Sequence, residues 1–149
     1  MKLKIFEFAV NRKNAVNKLT SIQDLVLNHM LCIFYWRNEA PVNHWKKEVA
    51  AFLDQIPKLK GKSTLSYKTV YQELYGYISD ILYKRIDSFI IGIMYKENYM
   101  LPEIDDPNVD NLEKFLEEFY DFVARKISTD GYILFADTYK KINELLEKY

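Results

Sequence analysis

Apolar side chains recur every three to four residues along most of the chain, a spacing that places them on one face of an α-helix. The clearest early run follows the hydroxyls of Thr20 and Ser21, which predict a helix N-terminus, with Gln23 spaced as in a capping box. This helix is expected to end near Arg37, where a cation suits the helix dipole. For residues 1–18 a strand and a helix both fit the pattern, and the prediction is a separate first helix. The apolar face of the second helix consists of Ile22, Leu25, Val26, Met30, Ile33 and Phe34.

The middle of the chain predicts a short helix followed by a long one. Pro41 is favoured in the first turn of a helix because its missing N–H has no partner there, and Pro57 is expected to end that helix. Residues 64–98 then predict one helix on the order of 50 Å long, at about 1.5 Å per residue. Such a rod is long for a chain of this size, so a kink or short break is expected near Asp87–Ser88 or Gly92. The face predicted to be buried consists of Tyr71, Tyr75, Ile78, Leu82, Ile86, Phe89 and Ile93.

The remaining residues predict two more helices. Asn108 and Asp110 are suitable N-caps after the proline-containing stretch 99–108, and Thr129 or Asp130 is expected to cap the last helix. The first of these helices has an apolar face of Leu112, Phe115, Leu116, Phe119, Phe122 and Val123. The fold class predicted is all-α: residues 1–149 form a single-domain bundle of five to six helices, with one long central helix that could be kinked.

Composition agrees with a helical globular protein and excludes several other classes. Hydrophobic residues make up 49% and charged residues 28% of the 149 residues, which is typical of a folded chain. Four glycines and four prolines are too few for the many turns of a β-sandwich or barrel. The longest apolar run, Met30–Trp36, has seven residues, against the roughly 20 that a membrane span needs. With a single cysteine, Cys32, and no signal segment, we expect a cytoplasmic protein that does not contact a membrane.

Charge is distributed unevenly although the net charge is zero. Residues 1–70 carry 12 Lys and Arg against 5 Asp and Glu, and the acidic residues concentrate instead between Glu103 and Asp121. An asymmetric charge distribution can attract an oppositely charged partner or a second copy of the chain. The alternative is that solvated helix faces simply differ in sign. The predicted partner-binding residues are Glu103, Asp105, Asp106, Asp110, Glu113, Glu117, Glu118 and Asp121.

Basic and tyrosine residues suggest two further partners. Nucleic acid could bind through lysines near a helix N-terminus, but zero net charge argues against it as the primary partner, because phosphate contacts need a dominant positive field. The long helix carries more tyrosines than one buried face can hold, and Tyr77 and Tyr83 fall off its stripe, so self-association through this helix is a second hypothesis. The lysines concerned are Lys58, Lys60, Lys62 and Lys68.

The stretch YWRNEAPVNHW, residues 35–45, brings a cation, an imidazole and several aromatic side chains to the junction of two predicted helices. Arg37 and His44 are separated by six residues, and Asn38 follows the arginine directly. This resembles the R-x(4–6)-H motif of the HEPN family of all-helical ribonucleases. The resemblance implies metal-independent RNA cleavage, in which Arg37 stabilises charge on a phosphoryl group and His44 transfers a proton. In the alternative, Arg37 caps a helix C-terminus, while His44 packs or hydrogen-bonds in the first turn of the next helix.

Metal and cofactor sites are not expected. His29 and Cys32 share a helix face, but zinc requires three or four ligands, and the chain has two histidines and one cysteine in all. The stretch KLKGKST lacks the glycine spacing of a nucleotide-binding loop. The preferred function is therefore a non-catalytic helical protein, without a cofactor, that binds another macromolecule or itself. The alternative is a HEPN-like ribonuclease using Arg37 and His44.

Overall fold

The computed structural model describes residues 2–61, 66–95, 104 and 106–149, and within these ranges the side chains of 2–12, 60–61, 67 and 90–95 fall outside the description. The described residues form six α-helices, so the all-α prediction is confirmed and the helix number fits the predicted five to six. A π-helical turn, Ile78–Leu82, joins the third helix to the fourth. The helices are α1 Lys2–Tyr35, α2 Val42–Gly61, α3 Tyr67–Tyr77, α4 Tyr83–Tyr95, α5 Val109–Asp130 and α6 Phe135–Lys148.

The first two predicted helices are one continuous helix, α1, and the predicted N-cap at Thr20 and Ser21 is wrong. Both hydroxyls donate hydrogen bonds one turn back along the helix, from Thr20 to the Val16 carbonyl at 3.2 Å and from Ser21 to the Asn17 carbonyl at 3.1 Å. Such bonds satisfy the hydroxyl groups of serine and threonine in the middle of a helix, and the helix continues past them. A capping residue and a mid-helix residue of this type therefore look alike in sequence.

Pro57 was predicted to end α2, but it lies inside this helix, which continues to Gly61. Proline lacks the N–H that would bond to the Leu53 carbonyl, so the helix loses one backbone hydrogen bond there. The helical path continues because Ile56 is buried on the core side and Leu59 packs against the same core beyond the proline. Apolar packing offsets the lost bond.

The long central helix is present as α3, the π turn and α4 in one run, but the irregularity lies at Ile78–Leu82 and not near Asp87 or Gly92. A π turn contains more residues per turn than an α-helix, so it rotates everything after it by about one residue. The buried residues accordingly change their spacing at the turn, from three or four to a step of five between Tyr77 and Leu82. The buried residues of this run are Val70, Leu74, Tyr77, Leu82 and Ile86.

This phase shift explains why the predicted stripe is displaced in its first half. Tyr71, Tyr75 and Ile78 are half-buried at the edge of the core, next to the buried positions Val70, Leu74 and Tyr77. In the second half, Leu82 and Ile86 are buried as predicted, while Phe89 is half-buried and stacks on Tyr35 with ring centroids 6.2 Å apart. Ile93 lies outside the described side chains.

The turn between α5 and α6 begins one residue beyond the predicted cap. Thr129 and Asp130 are the last residues of α5, so neither caps α6. Gly131 ends α5 with φ 80°, a left-handed conformation that favours glycine, and its N–H donates to the Ile127 carbonyl. Leu134, in extended conformation, takes the N-cap position of α6.

Buried apolar side chains from all six helices form one cluster. α1 packs along α2, α3 packs along α5, and α2 also contacts α6. The stripe predicted for α5 is confirmed apart from Phe122, which is half-buried. Polar groups in the core are paired across helices: the Tyr77 hydroxyl donates to Asp24 at 2.7 Å, and the Tyr120 hydroxyl donates to the Gln23 carbonyl at 2.9 Å.

None of the helices within the described ranges is both long and apolar enough to cross a membrane.

Candidate functional site

Arg37 joins the C-terminal ends of two helices. Its Nε donates to the Phe34 carbonyl at 3.0 Å, in the last turn of α1, and its Nη1 donates to the Leu146 carbonyl at 2.9 Å, in the last turn of α6. The last carbonyls of a helix have no partner within it, so a cation there satisfies both their hydrogen bonding and the helix dipole. The guanidinium also lies 4.8 Å from the centroid of the Phe34 ring. Burial lowers the pKa of this guanidinium.

His44 has a different partner. Its Nε2 lies 2.9 Å from Glu48 Oε1, one helical turn along α2, and its side chain is 70% exposed. The structure thus directs Arg37 to main-chain carbonyls of α1 and α6 and His44 to a carboxylate of α2. These contacts match the structural alternative for the two residues, and their ribonuclease role stays a prediction.

The acidic residues predicted to bind a partner do not share one environment. Glu103 and Asp105 lie outside the described residues. Asp106 is exposed, and its Oδ1 accepts the backbone N–H of Asn108 at 3.0 Å, which shapes the turn before α5. This carboxylate therefore has a local structural role whether or not it also meets a partner.

The second half of α5 uses its carboxylates to hold neighbouring helices. Glu118 accepts hydrogen bonds from Lys148 Nζ at 2.8 Å and from the Tyr149 hydroxyl, both at the end of α6. The hydrogen bond from Lys148 is the main cause of the lowered pKa of Glu118. This residue ties α6 to α5.

On the other side of α5, Glu117 and Asp121 face the tyrosines of α3 and α4. The Tyr83 hydroxyl donates to Glu117, and the Tyr75 hydroxyl donates to Asp121, which also accepts from Arg125 Nε at 2.8 Å. These hydrogen bonds are the leading cause of the raised pKa of Tyr75 and of Tyr83, the latter to about 12. Two of the residues predicted to face a partner are thus already engaged within the chain.

Glu113 has a different setting, since the charges acting on it are all carboxylates. Burial is the first cause of its raised pKa, followed by Asp110, Glu117 and Asp87. Asp87 lies on α4 and is exposed, as is Asp110 in the first turn of α5. We call these four residues the acidic patch. It is the part of the predicted acidic surface in which like charges are crowded together.

The predicted basic and tyrosine surfaces are only partly described. Lys58 pairs with Asp54 at 2.9 Å one turn away in α2, and Lys68 is exposed in the first turn of α3. The Lys60 side chain and Lys62 lie outside the described residues. Tyr77 was expected off the buried face, but it is fully buried because the π turn follows it directly. Tyr83, by contrast, remains exposed as predicted.

Sequence reasoning missed an apolar surface at the turn between α5 and α6. Tyr132, Leu134 and the first residue of α6, Phe135, are 53%, 54% and 50% exposed. Between them Ile133 is buried, because successive residues of an extended segment point to opposite sides. We call the three exposed residues the apolar corner. The available signal was a run of four large apolar residues at a turn, where only one side can be buried.

An open groove is lined by residues of α5 that directly precede the apolar corner in sequence. It has a volume of about 540 Å³ and runs along α5 from Glu118 to Asp130, with Lys141 of α6 on its other side. Phe122 lies in this groove, and Lys141 Nζ lies 5.6 Å from the centroid of its ring. The lining contains three cations and three carboxylates, and Arg125 pairs with Asp121 and Lys126 with Asp130, so the groove is polar and locally neutral.

Within the described ranges, no group of three or more histidine, cysteine, aspartate or glutamate side chains has the geometry to hold a metal ion. Cys32 is half-buried, and burial raises the pKa of its thiol to about 11, which keeps it protonated and unreactive near neutral pH. Comparison with known proteins adds no assignment, because no family model, curated protein or solved structure matches the chain.

Proposed function

We propose that this chain is a non-catalytic, all-helical interaction protein that binds a partner protein through the apolar corner formed by Tyr132, Leu134 and Phe135. The observation that carries the proposal is the concentration of exposed apolar side chains. Five large hydrophobic residues of the described part are exposed, and three of them fall within four consecutive positions. The other two, Leu25 and Tyr83, stand singly on different helices, as is common on protein surfaces.

The apolar corner is built to stay in place. Ile133 is buried in the core, and Gly131 fixes the exit from α5. Lys126 Nζ spans the turn, 3.0 Å from Asp130 and 3.7 Å from Asp137. A preorganised surface loses little conformational entropy on binding, so more of the burial energy appears as affinity.

The size of the apolar corner favours a different protein over a second copy of this chain. Half-exposed aromatic side chains together with a leucine offer on the order of 300 Å². Two such corners meeting across a twofold axis would bury roughly 600 Å², well below the roughly 1,600 Å² of a standard interface. A partner that encloses the three side chains in an apolar pocket can add contact area around them. Aromatic anchors in such pockets commonly supply most of the binding energy.

Photocrosslinking in cells of the source organism tests this proposal. A benzoylphenylalanine at position 135 should form an adduct with one defined protein, and excess wild-type chain should compete for it. The variant Tyr132→Ser/Leu134→Ser/Phe135→Ser should fail to compete, since it retains Ile133 but lacks the apolar corner. The same probe at Leu25, which is exposed on α1 away from both the apolar corner and the acidic patch, serves as the control. Identical adducts from both positions, or competition by the serine variant, would contradict the proposal.

The acidic patch supports a second, electrostatic component of the same interaction function. Crowded carboxylates keep a negative field that attracts basic surfaces and speeds association, although it contributes less to final affinity. The patch and the apolar corner lie at opposite ends of α5, roughly 30 Å apart at 1.5 Å per residue. We therefore assign steering to the acidic patch and binding to the apolar corner. Raising the salt concentration should slow association and leave the dissociation rate nearly unchanged.

A further inference from the structure

Both histidines of the chain meet the same carboxylate. His29 lies on α1, while His44 and Glu48 lie one turn apart on α2. His44 Nε2 is 2.9 Å from Glu48 Oε1, and His29 Nε2 contacts the other oxygen, Oε2, more closely. Glu48 therefore links α1 to α2 through its Oε2 and closes a turn of α2 through its Oε1.

The hydrogen bonds around His29 require two protons on its ring. Its Nδ1 lies 2.7 Å from the Leu25 carbonyl oxygen, which can only accept a hydrogen bond. Its Nε2 faces an oxygen of Glu48, which also only accepts while the carboxylate is ionised. Both ring nitrogens can donate only when the imidazole is protonated. The Phe52 ring lies against His29 with centroids 5.2 Å apart, and the His29 side chain is only 20% exposed, so water has limited access to replace either bond.

Loss of the proton leaves one ring nitrogen with a lone pair directed at an oxygen. Either the contact with Leu25 or the contact with Glu48 then becomes repulsive, whichever tautomer forms. We propose that His29 and Glu48 form a pH-sensitive clasp between α1 and α2, closed while His29 carries its proton and weakened when the proton leaves. His44 belongs to the same cluster but contributes less, because it is 70% exposed and water competes for its contact.

The nearby groups Cys32, Asp24 and Lys46 are either neutral or bonded to residues other than His29. On α1, the Cys32 thiol stays neutral because burial raises its pKa to about 11. Asp24, one turn before His29 on α1, accepts from Tyr77 and pairs with Arg85. On α2, Lys46 Nζ donates to Asn143 of α6 at 2.8 Å. The groups that face His29 from α2 are therefore Glu48 and, through it, His44.

The direction of the pH effect follows from proton linkage. The two hydrogen bonds of the His29 ring exist only in the folded chain and need both ring protons, so the clasp contributes to stability at acid pH. It is lost as the pH rises through the range in which histidines titrate, about 5 to 8. Because both histidines of the chain touch Glu48, the part of any stability change in that range that disappears with Glu48→Gln reports on this cluster.

Thermal unfolding of the full chain between pH 5.5 and pH 8 tests the clasp. The wild-type melting temperature should fall over this range, because the two hydrogen bonds of the doubly protonated His29 ring are lost. Glu48→Gln and His29→Gln should remove most of this dependence, and His44→Gln, the matched histidine substitution, should keep it. A flat wild-type profile would overturn the proposal, and so would a Glu48→Gln profile with the wild-type slope.

A second measurement does not depend on any variant folding. Nitrogen-15 chemical shifts of the wild-type histidines distinguish a doubly protonated ring from each neutral tautomer. At pH 5.5 His29 should carry protons on both nitrogens, with Nδ1–H coupled across the hydrogen bond to Leu25. A neutral His29 ring at that pH would contradict the clasp.

Discussion

Arg37 donates a hydrogen bond from Nη1 to the carbonyl oxygen of Leu146, 109 positions away in sequence and 2.9 Å away in the fold. The same guanidinium donates from Nε to the Phe34 carbonyl. One side chain therefore closes the ends of α1 and α6 together. The planar guanidinium suits this task, because its N–H donors point in fixed, divergent directions.

Replacing Arg37 should destabilise the fold. Arg37→Ala leaves two helix-end carbonyls without their charged donor, and we expect a loss of roughly 1.5–3 kcal/mol in the free energy of unfolding. Arg37→Lys should recover only part of this loss, because an ammonium cannot reach both carbonyls in the same geometry. Urea unfolding monitored by circular dichroism measures the difference. Arg125→Ala, which removes an exposed arginine paired within α5, is the control and should change stability little.

Arg37 also provides a test of the alternative function, a HEPN-like ribonuclease. A ribonuclease would need the Arg37 guanidinium for substrate, whereas here it is bonded to main-chain oxygens. We expect purified wild-type protein to cleave single-stranded and hairpin RNA no faster than the double variant Arg37→Ala/His44→Ala, measured by gel electrophoresis without added metal. Cleavage by the wild type that is lost in folded Arg37→Lys and His44→Ala variants would establish the ribonuclease instead.

The π turn should be required for the core on both of its sides. Deleting the exposed Ser79 would convert the turn to regular α-helix and rotate Val70, Leu74 and Tyr77 relative to Leu82. Burying a large apolar side chain is worth about 1.5–3 kcal/mol, so misplacing several should cost more than about 3 kcal/mol. Ser79→Ala, which keeps the residue count, should change stability by less than about 0.5 kcal/mol. A deletion variant as stable as Ser79→Ala would mean that the turn does not set the phase of the core.

Glu113 and Glu118 should respond to pH in opposite directions, although both lie on α5. The pKa of Glu113 is raised in the folded state by burial and neighbouring carboxylates. The ionised Glu113 therefore destabilises the fold at neutral pH, and this destabilisation is relieved as the pH falls toward 4.5. The pKa of Glu118 is lowered by Lys148, so its stabilisation is present above 4.5 and lost as the pH falls below that value. At pH 7, Glu113→Gln should raise the free energy of unfolding by a few tenths of a kcal/mol, and Glu118→Gln should lower it.

Unfolding titrations of the two variants from pH 3.5 to pH 7 provide the check. The gain in the free energy of unfolding from Glu113→Gln should shrink toward low pH. The loss in the free energy of unfolding from Glu118→Gln should shrink as well. Equal effects of the same sign would show that the two carboxylates share one solvated face, as the uniform acidic surface of the sequence interpretation implied.

The spacing of apolar residues was enough to predict an all-α fold and most of the buried face of α5, because a single amphipathic period governs that helix. It failed where the period changes. The π turn inserts one extra residue into the helical repeat. The spacing of apolar residues around Ile78 looks the same in sequence as that of a regular α-helix. The residues Thr20 and Pro57 misled for a related reason: each is compatible with a helix end, but tertiary packing decides whether the helix continues.

The candidate sites were harder to predict than the fold, because they depend on contacts between distant residues. Glu117 and Asp121 look solvent-facing on a helical projection, yet α3 and α4 supply tyrosines that bond to them. His29 and His44 are 15 positions apart, and their meeting at Glu48 requires the α1–α2 packing to be known. The apolar corner was also missed, although it left a local signal, a run of four large apolar residues that one helix face cannot bury completely.

The central claim, that the apolar corner binds a partner protein, is tested most directly by affinity. The protein captured at position 135 would be purified, and its dissociation constant measured for the wild type and for Tyr132→Ser/Leu134→Ser/Phe135→Ser, with Leu25→Ser as the control. The account predicts binding about 30-fold weaker or more for the triple variant, equivalent to at least about 2 kcal/mol, with Leu25→Ser close to wild type. A triple variant that remains folded and binds within about twofold of wild type would contradict the claim.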